Sequence, residues 1–153
     1  MGEKITTFDV RPVGGHEFEA VLAMRMVAYS EVRARLGNWG EAEERAHFER
    51  RWTVLGTSWI LVGGARVGVL EMDVGDITFV RSLVIVPEMQ RRGLGTLVMR
   101  EVLAAAARRG QDVALEVLTV NPEARRLYER LGFVEESGTA ERARMVWRAR
   151  GCA

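Results

Sequence analysis

Leu83-Val84-Ile85-Val86-Pro87-Glu88-Met89-Gln90-Arg91-Arg92-Gly93-Leu94-Gly95-Thr96 runs out of a β-prone stretch and into a helix, and this passage decides how the rest is read. Ile77 to Val86 is the most β-prone run in the chain, and Pro87 stops it. From Leu94 to Arg109, Leu94, Leu97, Val98, Val102 and Ala105 recur at helical spacing, with Gly110 as punctuation. Glycines between strand and helix let an anion approach the backbone closely. The first amides of a helix lack intrahelical partners, and the helix dipole favours negative charge there. Each such effect contributes only about 0.3–1 kcal/mol, so several amides must converge to hold a phosphate group. Arg91 and Arg92 add full positive charges, and a pyrophosphate is the natural occupant. Neither common nucleotide loop fits. The dinucleotide fingerprint needs a small third residue where Val98 stands, and the Walker A loop needs a lysine, whereas the only lysine is Lys4.

Upstream, Thr6 to Val13 reads as a short strand and Glu17 to Tyr29 as an amphipathic helix. A bend at Gly37-Asn38-Trp39-Gly40 precedes a polar helix over Glu41 to Arg51. Trp59 to Val62 and Val67 to Leu70 flank Gly63-Gly64 and predict a hairpin. Downstream, Val113 to Val117 is a buried-looking strand. Asn121-Pro122 opens a helix, with Asn as N-cap and Pro at the first position, and Gly132 ends it. Phe133 to Glu136 and Met145 to Arg148 complete the set. The expected order is β-α-α-β-β-β-α-β-α-β-β, without repeat or linker: one α/β domain over residues 1–153, with a right-handed parallel crossover between Ile77 and Val117.

Composition narrows the function. The chain has 153 residues, 22 basic and 21 acidic, so it lacks the bulk charge of most nucleic-acid-binding domains. No apolar run approaches the ~18 residues that span a bilayer, and the N-terminus lacks a signal-peptide layout. A cytoplasmic protein without membrane or nucleic-acid partners is expected. Cys152 is the only cysteine, and His16 and His47 show no metal-ligand pattern, so no metal is expected.

The passage from Leu83 to Gly95 resembles the central acetyl-CoA motif of the GNAT (Gcn5-related N-acetyltransferase) superfamily: a strand, a proline, then Q/R-x-x-G-x-G/A. Downstream, Asn121-Pro122-Glu123-Ala124-Arg125-Arg126-Leu127-Tyr128-Glu129-Arg130-Leu131-Gly132-Phe133 is similar to the family's N-x-x-A-x-x-L-Y-x-x-x-G-F signature. The resemblance is strong from Ile77 to Phe133. It implies the GNAT acyl-CoA acyltransferase fold, a mixed, mostly antiparallel sheet flanked by helices. It further implies a strand that bulges and splays from its neighbour, with acetyl-CoA as cosubstrate in the gap.

The same resemblance implies residue roles. Backbone groups of Leu83, Val84 and Ile85 would hydrogen-bond the pantetheine arm, with the Ile85 amide polarising the thioester carbonyl. Gln90 and the amides of Arg91, Arg92, Gly93, Leu94, Gly95 and Thr96 would cradle the pyrophosphate. Asn121 would cap its helix and contact the cofactor, and Arg125 or Arg126 would reach its other phosphate. Tyr128 would protonate the leaving thiolate, and a phenol suits that role because it keeps its proton until the thiolate forms. An acceptor amine with a lysine-like pKa must first lose a proton, at a cost of about 4.6 kcal/mol at pH 7. Glu116, a charge within an apolar strand, matches the position of a catalytic glutamate in ribosomal-protein N-terminal acetyltransferases. Glu71, Asp73 and Asp76 are alternatives, whereas Phe79 stands where other members carry a glutamate. Tyr29, Trp39, Trp52, His47 and Phe48, among Glu41, Glu43 and Glu44, are the candidate acceptor wall, where aromatics and carboxylates suit a cationic amine. Cys152, in a terminal tail, is a poor candidate nucleophile.

The sequence thus predicts acetyl transfer to a primary amine of a small molecule or peptide by a monomer or homodimer. The alternatives are acetylation of a protein N-terminus and a non-catalytic acyl-CoA-binding regulatory module.

Overall fold

A computed structural model describes residues 2–150, so Cys152 lies outside the described residues. The chain builds one seven-stranded sheet in the order β1-β2-β3-β4-β5-β7-β6. Its strands are β1 (Asp9–Pro12), β2 (Thr57–Val62), β3 (Ala65–Val74), β4 (Thr78–Ile85), β5 (Val113–Leu118), β6 (Val134–Gly138) and β7 (Arg142–Trp147). All neighbours run antiparallel except β4 and β5, which are parallel and joined by helix α4 (Leu94–Arg108). The other helices are α1 (Phe18–Ala28), α2 (Ser30–Leu36), α3 (Glu41–Arg51) and α5 (Pro122–Arg130).

Local chemistry explains these elements. Gly63 and Gly64 both take positive φ, as a tight turn between β2 and β3 requires. The Asn121 side chain accepts from the Ala124 amide at 3.3 Å, capping α5 with Pro122 at its first position. Two cores cover the two sheet faces. Leu94, Val98 and Met99 of α4 pack with Leu115, Phe133 and Met145 on one side. Val21 and Leu22 of α1 and Phe48 of α3 pack on Trp59, Val69 and Val84 on the other.

Three elements differ from the sequence expectation. Helix α2 occupies Ser30 to Leu36, where no apolar period marks a separate helix. β3 continues four residues beyond Leu70, and β1 is confined to Asp9–Pro12.

β4 carries the feature that shapes the site. Glu71 of β3 faces Ser82, but Met72 faces Val80, so Arg81 is an extra, unpaired residue. A bulge of this kind bends its strand and interrupts the side-chain alternation. Val80 accordingly joins the α4-side core, whereas Val84 joins the opposite one. β4 pairs with β5 only through Thr78–Val113, Phe79–Ala114 and Val80–Leu115, and the pairing ends where the bulge begins.

Candidate active site

Beyond Val80 and Leu115 the two central strands have no pairing with each other, and a cavity of about 520 Å³ opens beside them. The Val86 amide donates to the Val67 carbonyl at 3.0 Å, which sets the phase of the β3–β4 ladder. In an antiparallel ladder, alternate residues turn both backbone groups to the partner strand. Val84 and Ser82 therefore face β3, while the backbone of Leu83 and Ile85 faces the gap. Of the three backbone positions expected to meet a pantetheine arm, Leu83 and Ile85 face the gap, and Val84 is engaged in the ladder. The Ile85 carbonyl accepts from the Gln90 side chain at 2.8 Å, so Gln90 fastens the following loop to the strand.

That loop enters α4 through two residues with positive φ, Arg91 (62°) and Gly93 (81°). For Arg91 this is a sparsely populated conformation, of the kind that concentrates at ligand-binding turns. Gly95 lies where a Cβ would stand 3.2 Å from Leu127 of α5, so its bareness allows α4 and α5 to approach. The first turn of α4 contains no acidic residue, which leaves its amides and dipole open to an anion. Arg91 is exposed, but the Arg92 side chain is occupied: Nε donates to the Glu3 carbonyl at 2.7 Å and Nη1 to Met89 Sδ at 3.2 Å. Arg125 is likewise tied to Glu135, at 2.6 Å, whereas Arg126 is exposed on the next position.

Tyr128 sits on the buried face of α5, edge-on to Phe133, and its side chain lines the cavity. Burial, helped by the nearby Tyr29, pushes its phenol well above the ordinary value of 10.0, so the hydroxyl holds its proton. Glu116 projects from β5 into the same cavity and is exposed there. The other carboxylates are differently placed. Glu71 is 1% exposed and held by Arg25 (2.9 Å), Arg51 (3.2 Å) and Arg81 (3.4 Å), so its charge is already met. Asp73 is exposed and paired with Arg81 at 3.1 Å, and Asp76 is exposed near the β3–β4 turn, both outside the cavity wall.

Helices α1 to α3 supply the opposite wall. Tyr29, Trp39, Glu44 and His47 reach the cavity. Phe48 and Trp52 instead stack with Phe18 inside the core, and Glu41 and Glu43 face solvent. Glu44 is buried, accepts from Trp39 Nε1 at 2.8 Å and pairs with Arg25 at 3.2 Å. Arg25 also donates to Ser82 Oγ at 2.9 Å, linking α1, α3, β3 and β4 beneath the cavity floor. Sequence reasoning missed this network, although Val21, Arg25 and Tyr29 share one helical face and place a charge on an apolar stripe. It also read His47 only as an aromatic. Burial first, then Arg51, lowers the imidazole pKa below 6.5, with Glu44 opposing, so a neutral base faces the cavity. At the rim, Arg35 of α2 holds Glu123 of α5 through both nitrogens, at 3.0 and 3.1 Å, and Glu123 is lowered to about 2, chiefly by that contact. Among the described residues there is no cluster of three or more potential metal ligands, and no helix is long and apolar enough to cross a membrane.

A mixed sheet that parts at a bulge, followed by a glycine loop at a helix start, is the architecture of the acyl-CoA-dependent acetyltransferases. Residues 19–133 match the acetyltransferase (GNAT) family, and the chain belongs to it. None of the curated proteins compared matches the chain in sequence. Solved structures share its fold at low identity. A paiA N-acetyltransferase from Thermoplasma acidophilum, in complex with coenzyme A, is 13% identical with a TM-score of 0.77, over 94% of this chain and 99% of that one. An acetyltransferase from Thermus thermophilus is 19% identical with a TM-score of 0.75, over 95% and 99%. The ribosomal-protein-S18-alanine N-acetyltransferase from Escherichia coli is 19% identical with a TM-score of 0.69, over 96% and 97%.

Proposed function

We propose that the protein transfers an acetyl group from acetyl-CoA directly to a primary amine of a small molecule or peptide. The observation that carries this reading is the convergence on one cavity of Leu83 of β4, the protonated phenol of Tyr128 and the carboxylate of Glu116, with the Ile85 backbone turned to the gap just beyond. The family membership supplies acetyl-CoA as donor, and the loop at α4 fits its pyrophosphate.

In this reading the Ile85 amide donates to the thioester carbonyl oxygen as charge develops there, a contribution of about 3–4 kcal/mol for a preplaced donor. Glu116, directly or through a water, takes the proton that the ammonium must lose before its nitrogen attacks. The new C–N bond forms as the C–S bond breaks, and the nitrogen, which attacks still carrying two protons, releases one of them to solvent to give the neutral amide. The Tyr128 hydroxyl donates to the departing sulfur and gives it the proton that makes the free thiol. Its raised pKa opposes full ionisation, so the phenolate is transient and recovers a proton from Glu116 or solvent.

The test is a panel of amines (amino acids, polyamines, aminoglycosides and peptides with free N-termini), with thiol release monitored. Thiol release matched by acetylated product supports the reading. Tight acetyl-CoA binding without turnover on every amine class assigns a binding module instead.

A further inference from the structure

We infer that Lys4 is a ligand for the cofactor's pyrophosphate, delivered to the start of α4 by the N-terminal segment folding back on the glycine loop; this rests on the acetyl-CoA reading above. The segment is fixed at several points. The Ile5 amide donates to the Arg92 carbonyl at 2.8 Å, and the Ile5 side chain is buried in the α4-side core. From the other direction Arg92 Nε grips the Glu3 carbonyl at 2.7 Å, and a Cβ on Gly2 would lie 2.5 Å from that nitrogen. Between these anchors the Lys4 stem crosses Gly93, where a Cβ would stand 3.2 Å from Lys4 Cε. Gly93 is bare at the helix start, and the lysine stem occupies the space so left.

Charge gives an independent reason to assign a ligand there. A helix start favours acids and disfavours cations. α4 has no acid in its first turn, yet Arg91, Arg92 and Lys4 gather at that end. Such an arrangement opposes its own helix dipole, and a bound anion relieves it. Because Arg92 is turned onto the N-terminal segment, Lys4, exposed and with its stem over Gly93, is with Arg91 the cation left at that helix start without a side-chain role in the segment.

Lys4→Met keeps an unbranched apolar stem over Gly93 and removes only the charge, and Lys4→Arg restores it. Dissociation constants of both variants and the parent are measured by calorimetry for three donors. These are acetyl-CoA, acetyl-dephospho-CoA, which lacks the ribose 3′-phosphate, and S-acetylpantetheine, which lacks all phosphates. Lys4→Met is expected to weaken the first two alike, by roughly five- to tenfold at low salt, and to leave the third unchanged. The difference shrinks as salt rises, and Lys4→Arg recovers most of it. Equal affinities of parent and Lys4→Met for acetyl-CoA overturn the inference. So does a loss of equal size with S-acetylpantetheine, which marks a structural role for the stem. A loss seen with acetyl-CoA but not its dephospho form moves the contact to the ribose phosphate and overturns the pyrophosphate assignment. A parent protein that binds none of the three removes the acetyl-CoA reading itself, a result distinct from all of these.

Discussion

Arg25 Nη1 lies 2.9 Å from a carboxylate oxygen of Glu71, with the two side chains 4% and 1% exposed. The pair binds α1 to β3 directly under the cavity, beside the bulge at Arg81. Breaking a buried pair from one side leaves a charge without its partner, at a cost of about 3–5 kcal/mol. Here Glu71 serves three arginines, so Glu71→Gln leaves Arg25, Arg51 and Arg81 without that counter-charge. We expect Glu71→Gln and Arg25→Met each to lower the thermal midpoint by many degrees, read by calorimetry. A shift of a degree or two would show that water or rearranged partners already satisfy the network.

Tyr128→Phe keeps the ring that packs on Phe133 and deletes the proton donor. Loss of a positioned general acid commonly costs 10²- to 10⁴-fold. The expected result is a fall in kcat of about 100-fold, with acetyl-CoA affinity and thermal midpoint nearly unchanged. An unchanged kcat removes Tyr128 from the mechanism.

The same phenol sets an alkaline limb of stability. Its folded pKa is raised by burial, while the unfolded phenol titrates near 10.0. Below that pH both states hold the proton and stability does not depend on this group. Above it the unfolded state ionises first, so stability is lost as pH rises toward the folded value. Denaturant midpoints from pH 9 to 11 should fall more steeply for the parent than for Tyr128→Phe.

Glu116 and His47 compete for the role of base, and pH separates them. Glu116→Gln should reduce kcat/KM by about 100-fold at pH 7. The deficit should narrow toward the amine's own pKa, near 10.4 for a lysine-like acceptor, where the free base is already abundant. If His47 carries the proton instead, His47→Gln abolishes an acid limb whose midpoint lies below 6.5 and Glu116→Gln leaves the rate intact.

Asn121 has two separable duties. Asn121→Ala deletes the cap on the Ala124 amide and should cost about 1 kcal/mol in denaturant titration. Asn121, which lines the cavity, keeps its capping oxygen in Asn121→Asp but loses its amide donor. Acetyl-CoA affinity that falls in Asn121→Asp at unchanged stability assigns the donor to the cofactor; equal affinity limits Asn121 to capping.

Both family motifs were legible because their chemistry is local: glycines at a helix start, an Asn-Pro opening, a tyrosine on an apolar stripe. What escaped depends on distant partners. Ser30 to Leu36 offers only Val32, Ala34 and Leu36 as apolar residues, which alternate with charges and set no clear helical period. The helix forms because Val32 is buried, Arg33 reaches the Met26 carbonyl and Arg35 reaches Glu123. In sequence, β3 reads as ending at Leu70 because Glu71 and Asp73 interrupt the apolar run. Their charges are met from other elements, by Arg25 of α1 and by Arg81 of β4. The engagement of Val84 with β3 follows from a bulge that no local pattern announces.

Among the described residues, three pairs join β1–β4 to the β5–β7–β6 half of the sheet. In mechanical terms the protein is two stiff plates sharing a short seam, and the length of that seam fixes the angle at which they stand apart. The gap between β4 and β5 is therefore a property of the sheet itself. A shorter seam would widen that gap, and removal of the extra residue at Arg81 would let the plates zip closed.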